Sequence, residues 1–309
     1  MLTRKEMKHK AGYVSIIGKP NAGKSTLLNA LLKQKISIVS DKPQTTRKTV
    51  LGILSEEDYQ IIFLDTPGIL NPKYLLQEKM EEFIKRSIDD ADILLFIYDV
   101  STEKEIKNLF GEKNLLRLLN QTSTPKVLLL NKVDLSSEEK VKKLIEEAEE
   151  HKLFTKIIPV SALLNFNTDS VRETILSYIP EHPKYYPEDI TSSENERFFV
   201  GEIVREKIFE LYRDEVPYSC ETAVEEFKER ESGKYYISVM IFVEKDSQKK
   251  IIIGKGGAQI KKLGELSRKD VEIFLDKEVY LELRVKVREN WRSNEAMMKQ
   301  FGYAQPKDN

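Results

Sequence analysis

Up to about residue 180 the chain alternates short, almost wholly apolar runs with amphipathic stretches. Val14–Ile17, Ile61–Leu64, Ile93–Tyr98, Val127–Leu130 and Ile157–Val160 predict strands. Between them Ser25–Leu32, Gln77–Ser87 and Glu138–Glu150 predict helices, and Val141, Leu144, Ile145 and Ala148 trace one face of the last. The neighbouring Glu146, Glu147, Glu149 and Glu150 then form its solvated face rather than a metal site. Strands that are apolar on both sides must be covered on both sides. This predicts an α/β fold with a doubly wound, mostly parallel sheet.

Ile179–Pro187 carries three prolines, which block helix and sheet hydrogen bonding, and it is the expected interdomain linker. Beyond it the order of elements changes. A long helix over Asn195–Arg213 is followed by a strand, a strong strand over Tyr235–Glu244, a glycine-rich turn and a second helix. A strand over Val279–Val287 and a short C-terminal helix complete the α+β second half. The expected organisation is an N-terminal extension (1–11), a nucleotide-binding domain (12–180), a linker (181–194) and a C-terminal domain with tail (195–309), without internal repeats.

Composition narrows the class. The chain has 309 residues, a formal charge of −1, 33% charged and 40% hydrophobic residues, a globular balance with no global pull toward nucleic acid or acidic lipid. No apolar run approaches the ~18–20 residues of a membrane helix. Met1–Lys10 is polar and basic, so no secretory leader is expected, and the single cysteine, Cys220, points to a reducing compartment. His9, His151 and His182 lie apart, with no second ligand type at metal spacing. Cys220 reads as a small packed residue. Tyr185–Tyr186 could pack the linker against a domain or stack on RNA.

Candidate chemistry begins at Gly18–Lys19–Pro20–Asn21–Ala22–Gly23–Lys24–Ser25, a G-x-x-x-x-G-K-S phosphate loop with a strand before it and the Ser25–Leu32 helix after it, in which Thr26 is a further nucleotide-site candidate. Its glycines let backbone N–H groups point at phosphate oxygens, backed by the positive end of the helix. Lys24 is placed to reach the β- and γ-phosphates, and the Ser25 hydroxyl to ligate Mg2+. Asp65–Thr66–Pro67–Gly68 ends a buried strand with an acid suited to hold Mg2+ through water, and the Gly68 N–H can meet the γ-phosphate. Asn131–Lys132–Val133–Asp134 supplies a carboxylate that can accept from both the ring N–H and the exocyclic amine of guanine. Adenine would leave that carboxylate unpaired. Ser161–Ala162–Leu163 can offer a backbone N–H to the guanine oxygen.

These residues resemble the signature of translation-factor-class GTPases. Gln44–Thr45–Thr46–Arg47 resembles the switch segment of the Era-like group. The resemblance implies that Thr46, next to Thr45 in the nucleotide site, closes on Mg2+ when GTP is bound. It makes Lys24, Thr46, Asp65 and Gly68 the expected catalytic set. Ile69 stands where Ras-like enzymes place a glutamine that orients the attacking water, and an aliphatic side chain cannot do that. Asn21 falls where potassium-stimulated relatives hold K+ against the phosphates; a plain turn residue is the alternative. Slow intrinsic hydrolysis, raised by K+, is expected.

In the second half, Ile251–Ile252–Ile253–Gly254–Lys255–Gly256–Gly257 carries a Gly-x-x-Gly turn that leads into a helix. This matches the clamp of KH domains, which holds about four nucleotides of single-stranded RNA. From Lys245 to Asp270 eight basic residues face three acids, while 195–309 as a whole sums to zero. The basic patch is therefore confined to the clamp and its helix. Ile253, Gly254, Lys255, Gly256, Gly257, Lys261 and Lys262 are the candidate RNA residues, and Arg284, Lys286, Arg288 and Arg292 can extend them.

Val200–Lys207, Glu215–Tyr218, Trp291–Arg292 and Phe301–Gly302–Tyr303 also resemble Era-like GTPases that carry a C-terminal KH domain of the helix-first kind, type II. That resemblance implies a cytoplasmic GTPase that binds the 3′ end of small-subunit (16S) rRNA and assists 30S maturation. It also implies Mg2+ as cofactor and peripheral contact with the inner membrane; a monomer is expected. Leu164–Asn165–Phe166–Asn167 departs from the family's Lys-Gly-x-Asn. The competing readings are an RNA-binding module in which the nucleotide domain only lends support, and a relative acting on a different RNA.

Overall fold

The computed structural model describes residues 9–102, 106, 119–120, 122–231 and 233–303. The chain divides into two compact units, Met1–Asn71 with Met80–Ser193, and Pro72–Lys79 with Glu194–Asn309. The N-terminal extension expected over 1–11 lies almost wholly outside the described residues.

The first unit is built on a six-stranded sheet. Its elements are β1 (Lys10–Gly18), α1 (Lys24–Leu32), β2 (Val50–Ser55), β3 (Tyr59–Asp65), α2 (Leu75–Asp89), β4 (Ile93–Asp99), β5 (Lys126–Asn131), α3 (Glu138–Glu150), β6 (Lys156–Val160) and α4 (Thr168–Tyr178). The strand order is β2-β3-β1-β4-β5-β6, parallel throughout except for antiparallel β2. Every residue of β4 is buried, as a strand covered on both faces requires. One face packs Val14, Ile16 and Phe63 against Leu27 and Leu28 of α1 and Val171 and Ile175 of α4. The other packs Ile17, Phe96 and Leu128 against Ile84 and Ile88 of α2 and Val141 and Leu144 of α3. From β1 the chain builds outward in both directions, so the crevice beyond its carboxyl end is the topological switch point where such sheets bind ligands.

Strand β2 is absent from the hydrophobic pattern. Gly52 interrupts its apolar run, and pairing with β3 (Ile53 opposite Ile62) defines it instead. The proline-rich linker is not loose: the Ile53 N–H donates to Thr191 O at 2.8 Å and the Ser192 hydroxyl to Leu51 O at 2.6 Å. Buried Gln60 accepts from the Tyr185 and Tyr186 N–H groups and donates to Tyr186 O. The Tyr185 ring stacks on His182 (4.2 Å) and meets the edge of Tyr13 (5.0 Å), which is the packing alternative for these tyrosines.

The second unit runs α5 (Glu196–Leu211), a single turn α6 (Val216–Ser219), β7 (Glu221–Glu229), β8 (Tyr235–Val243), α7 (Asp246–Ile253), α8 (Ala258–Leu275), β9 (Val279–Val287) and α9 (Glu295–Gln300). Its sheet has the order β7-β8-β9, with β7 and β8 antiparallel and β8 and β9 parallel. Ile237, Val239 and Ile241 pack against Val200, Val204 and Ile208 of α5 and Leu263 and Val271 of α8. Cys220 is buried in the same cluster, and its thiol donates to Val216 O. Against the opposite face, Phe301 meets Phe242 (4.9 Å), the Trp291 indole donates to Ser219 O (2.8 Å), and the Tyr303 hydroxyl donates to Glu221 (2.6 Å). Segment Pro72–Lys79, which includes the first turn of α2, is grouped with this unit, and the rest of α2 with the first. There the Arg292 guanidinium lies 4.9 Å over the Tyr74 ring and is ion-paired to Glu244.

The Ile251–Ile253 run is the last turn of α7, with Ile252 buried and Ile251 exposed. Sequence alone placed only a turn between β8 and α8. Asp246–Gln248–Lys249–Lys250 puts enough charge in front of the isoleucines to hide the helical stripe.

Candidate functional site

The carboxyl ends of the first unit's strands open on a cavity of about 700 Å3, within the range of small-ligand sites. Lys19, Pro20, Asn21, Gly23, Lys24, Ser25, Thr26, Thr45, Thr46, Gly68, Asn131, Lys132, Asp134, Ser161 and Leu163 line it. Gly18, Ala22, Asp65, Thr66, Pro67 and Ala162 adjoin these residues in sequence without lining the cavity themselves.

The phosphate loop leaves β1 and enters α1 through Gly23, whose φ of +100° favours glycine. A Cβ there would lie 2.3 Å from Asn131 Nδ2. Asn131 occupies that space as a brace: its amide donates to Ala22 O at 2.7 Å and its oxygen accepts from the Ala162 N–H at 2.9 Å. It thus joins the phosphate loop to the Ser161–Leu163 loop while lining the cavity between them.

Lys24 is buried, with Nζ donating to Lys19 O at 2.9 Å and Gly18 O at 3.2 Å. Burial pulls its pKa down to about 8, against the pull of Asp65 toward the charged form. Burial likewise pushes the Asp65 carboxyl up, opposed by the Ser25 hydroxyl and Lys24. Ser25 donates to Asp65 Oδ2 at 2.7 Å and lies 2.9 Å from the Thr46 hydroxyl. Asp65 Oδ1 is buried with no hydrogen-bond partner. Two hydroxyls and an under-partnered buried carboxylate converge on one point, a hard-oxygen donor set that fits Mg2+. Thr45 instead turns its hydroxyl to Lys42 O. The Thr66 hydroxyl donates to Ile16 O, and the Ile69 N–H donates to Gly18 O, which draws the Asp65–Gly68 segment onto the phosphate loop. The Ile69 side chain packs into the apolar cluster on that face.

Asn21 has a left-handed backbone, φ 62°, and its amide donates to Asp41 O at 2.5 Å. It therefore ties the phosphate loop to the segment preceding Thr45.

At the base end Asp134 is exposed on the cavity rim. The Lys132 ammonium is held at 2.6 Å by Asp99. Burial would raise the Asp99 carboxyl, but hydrogen bonds from Lys132 and Ser101 outweigh it and hold the group below its ordinary range. Asp99 was missed in the sequence; as an acid ending the apolar run of β4, opposite Asn131 of β5, it had the same signal as Asp65. In the last loop the Ser161 N–H pairs with Phe166 O and the Ala162 N–H with Asn131. Among the described residues this leaves the Leu163 N–H without an acceptor beside the cavity. The divergent Leu164–Asn167 stretch closes as a tight loop on the Ser161–Phe166 pair, with Asn167 donating to Pro159 O.

In the second unit, Gly254–Gly257 joins α7 to α8. Gly254 has φ 73°, and a Cβ on it would meet Gln259 Cγ at 2.5 Å, so the turn closes only with glycine. Lys255, Lys261 and Lys262 are exposed around it, and Ile253 is half-buried behind them.

A phosphate loop at the switch point, an acid-and-hydroxyl cradle and an Asn-Lys-x-Asp base site define a P-loop GTPase; the second unit is a type II KH fold. Comparison with known proteins agrees. The model of the 50S ribosome-binding GTPases matches residues 13–132 and that of the KH domain residues 215–292. The chain is 45% identical to the GTPase Era of Clostridium botulinum, over 95% of this chain and 98% of that one. It is 46% identical to the chloroplastic GTPase ERA1 of Zea mays, over 96% of this chain and 71% of that one. A crystal structure of Era in complex with MgGDPNP and nucleotides 1506–1542 of 16S ribosomal RNA superposes with a TM-score of 0.90 at 40% identity. It covers 96% of this chain and all of that one. The chain belongs to the Era family of GTPases.

Proposed function

We propose that this GTPase uses its nucleotide state to control binding of its KH unit to single-stranded RNA at the 3′ end of 16S rRNA, and so assists maturation of the 30S subunit. The observation that carries this reading is the pairing, on one chain, of the 700 Å3 guanine-nucleotide cavity with the Gly254–Gly257 turn and its exposed lysines. The solved relative bound to MgGDPNP and 16S rRNA supports it.

In this reading the backbone N–H groups of Gly18–Gly23 cradle the phosphates, and Lys24 reaches the β- and γ-phosphates. Ser25, Thr46 and Asp65, the last through water, hold Mg2+, which supplies positive charge against that developing on the phosphate oxygens. Gly68 offers its N–H to the γ-phosphate. Asp134 accepts from the guanine edge and the Leu163 N–H donates to its oxygen. With Ile69 in the core no side chain at that position orients water, so unassisted hydrolysis is slow. K+ at Asn21 raises the rate: single-turnover hydrolysis is expected to be faster in K+ than in Na+ buffer, and equal rates remove that role from Asn21.

Coupling is supported by the chain path. Pro72–Lys79, part of the KH unit, begins four residues beyond Gly68, so a change of the Gly68 segment with nucleotide is carried along the backbone into that unit. The RNA half is tested by the Lys255→Ala/Lys261→Ala/Lys262→Ala variant. Its affinity for a single-stranded RNA copying the 16S 3′ end should fall, and the slope of log affinity against log salt should shrink by about 2, at roughly 0.7 per phosphate contact. Unchanged affinity and slope would place the RNA elsewhere. Peripheral contact with the inner membrane and a monomeric state belong to the same proposal and rest on the family resemblance. No helix among the described residues is long and apolar enough to cross a membrane.

A further inference from the structure

Strand β9 is an open edge of the KH sheet, and its residues alternate strictly. Val279, Leu281, Leu283, Val285 and Val287 pack toward the helices, which leaves Tyr280, Glu282, Arg284, Lys286 and Arg288 on the opposite face. At the start of this row Tyr280 pairs with Tyr236 of β8, and the two rings stack at 5.9 Å with 20° between their planes. The Arg230 guanidinium covers both, 4.8 Å from one centroid and 5.3 Å from the other. The Tyr236 hydroxyl donates to Glu282, which fixes that ring, while Tyr280 is 58% exposed. The Tyr280 ring is thus turned to solvent, beside a half-buried Tyr236 and with the flat Arg230 guanidinium lying over the pair.

The charges around it are mixed, seven acids against six basic residues over 225–236 and 278–289, but among the described residues three of the cations are left without an ion pair. Glu226, Glu278 and Glu282 are ion-paired to Lys228, Lys234 and Arg284. Arg230, Lys286 and Arg288 have no acidic partner among the described residues. The row also leads to the clamp. The Val279 N–H donates to Glu272, which sets the start of β9 beside the end of α8, and the Arg288 N–H donates to Val243 O, just before α7, whose far end carries the Gly254 turn. From Tyr280 to Arg288 is eight residues, about 26 Å of extended strand. A clamp of this type holds about four nucleotides, whereas the RNA in the solved relative's complex spans nucleotides 1506–1542.

We propose that the Tyr236–Tyr280–Arg230 surface is a second RNA contact, which stacks unpaired bases of the strand that continues from the Gly254–Gly257 clamp along the Lys286–Arg288 edge. Base stacking on an aromatic face tolerates any sequence, so this contact adds affinity and length dependence rather than sequence choice. It rests on the reading of Gly254–Gly257 as the RNA clamp, and the experiment separates the two. The full chain is titrated, at one salt concentration, with an RNA of about five nucleotides and one of about fifteen, both copying the 16S 3′ end. Tyr280→Ala should weaken the long RNA by about five- to tenfold, near the low end of a stacking contact, and leave the short one unchanged. Tyr280→Phe, which keeps the ring, should match the parent on both. Equal loss on both RNAs, or no loss on the long one with the melting temperature intact, overturns the second contact; in the latter case the surface is left to a protein partner. Failure of the clamp reading shows separately, as short-RNA binding that ignores Lys255→Ala/Lys261→Ala/Lys262→Ala.

Discussion

Lys24→Ala should lower GTP turnover by about 10²- to 10³-fold, the loss typical of removing one preorganised donor to developing charge. The reason lies in where the ammonium sits. It is buried, held by the Gly18 and Lys19 carbonyls, and burial already weakens its hold on the proton. A cation kept so far from water has little to gain until phosphate oxygens arrive, and in that setting their interaction is strong. Alanine removes the charge and takes from the Lys19 and Gly18 carbonyls the donor they share. Hydrolysis and nucleotide affinity should therefore fall together. Turnover at the parent rate with Mg2+ present would show that the cavity binds nucleotide in a different register.

The second large effect is one of specificity. Asp134 is exposed on the cavity rim, so Asp134→Asn should fold as the parent does. In the proposed reading the carboxylate accepts two hydrogen bonds from guanine; an amide would accept only one and turn a donor toward the exocyclic amine. Xanthine carries an oxygen at that place and restores the match. GTP turnover should drop by about 10³- to 10⁴-fold, the scale of leaving a site's polar group unpaired, and xanthosine triphosphate should recover most of it. If GTP is preferred as before, the base is not read at Asp134.

Legibility in the sequence followed how local the determining physics is. β4 and β5 were plain, because seven and six consecutive buried positions cannot be mistaken for a half-exposed strand. The phosphate loop, Asp65, Asp134 and the Gly254 turn were plain as well, since each needs particular residues at fixed spacing. What stayed hidden depends on partners distant in sequence. β2 is a strand because of β3, and Gln60 secures a linker some 125 residues away. Asn131 was read with the base site, but its bracing of Ala22 against Ala162 could not be. Asp99 gains its role from Lys132, and the Tyr236–Tyr280 pair exists only once β8 and β9 are set side by side. Assignment of Pro72–Lys79 to the KH unit has no local signal at all.

The central claim is that nucleotide state governs RNA binding. A ligand shifts an equilibrium only by its differential affinity for the two states, so RNA affinity must differ between nucleotide forms. The direct measurement is binding of the full chain to a single-stranded RNA copying the 16S 3′ end, at one stated salt concentration. The comparison is between a non-hydrolysable GTP analogue, GDP and no nucleotide. Tighter binding with the GTP analogue, by about fivefold or more, is predicted, with the difference lost in Lys255→Ala/Lys261→Ala/Lys262→Ala. Equal affinity in all three states would contradict the switch and leave the KH unit an RNA-binding module to which the GTPase lends only support.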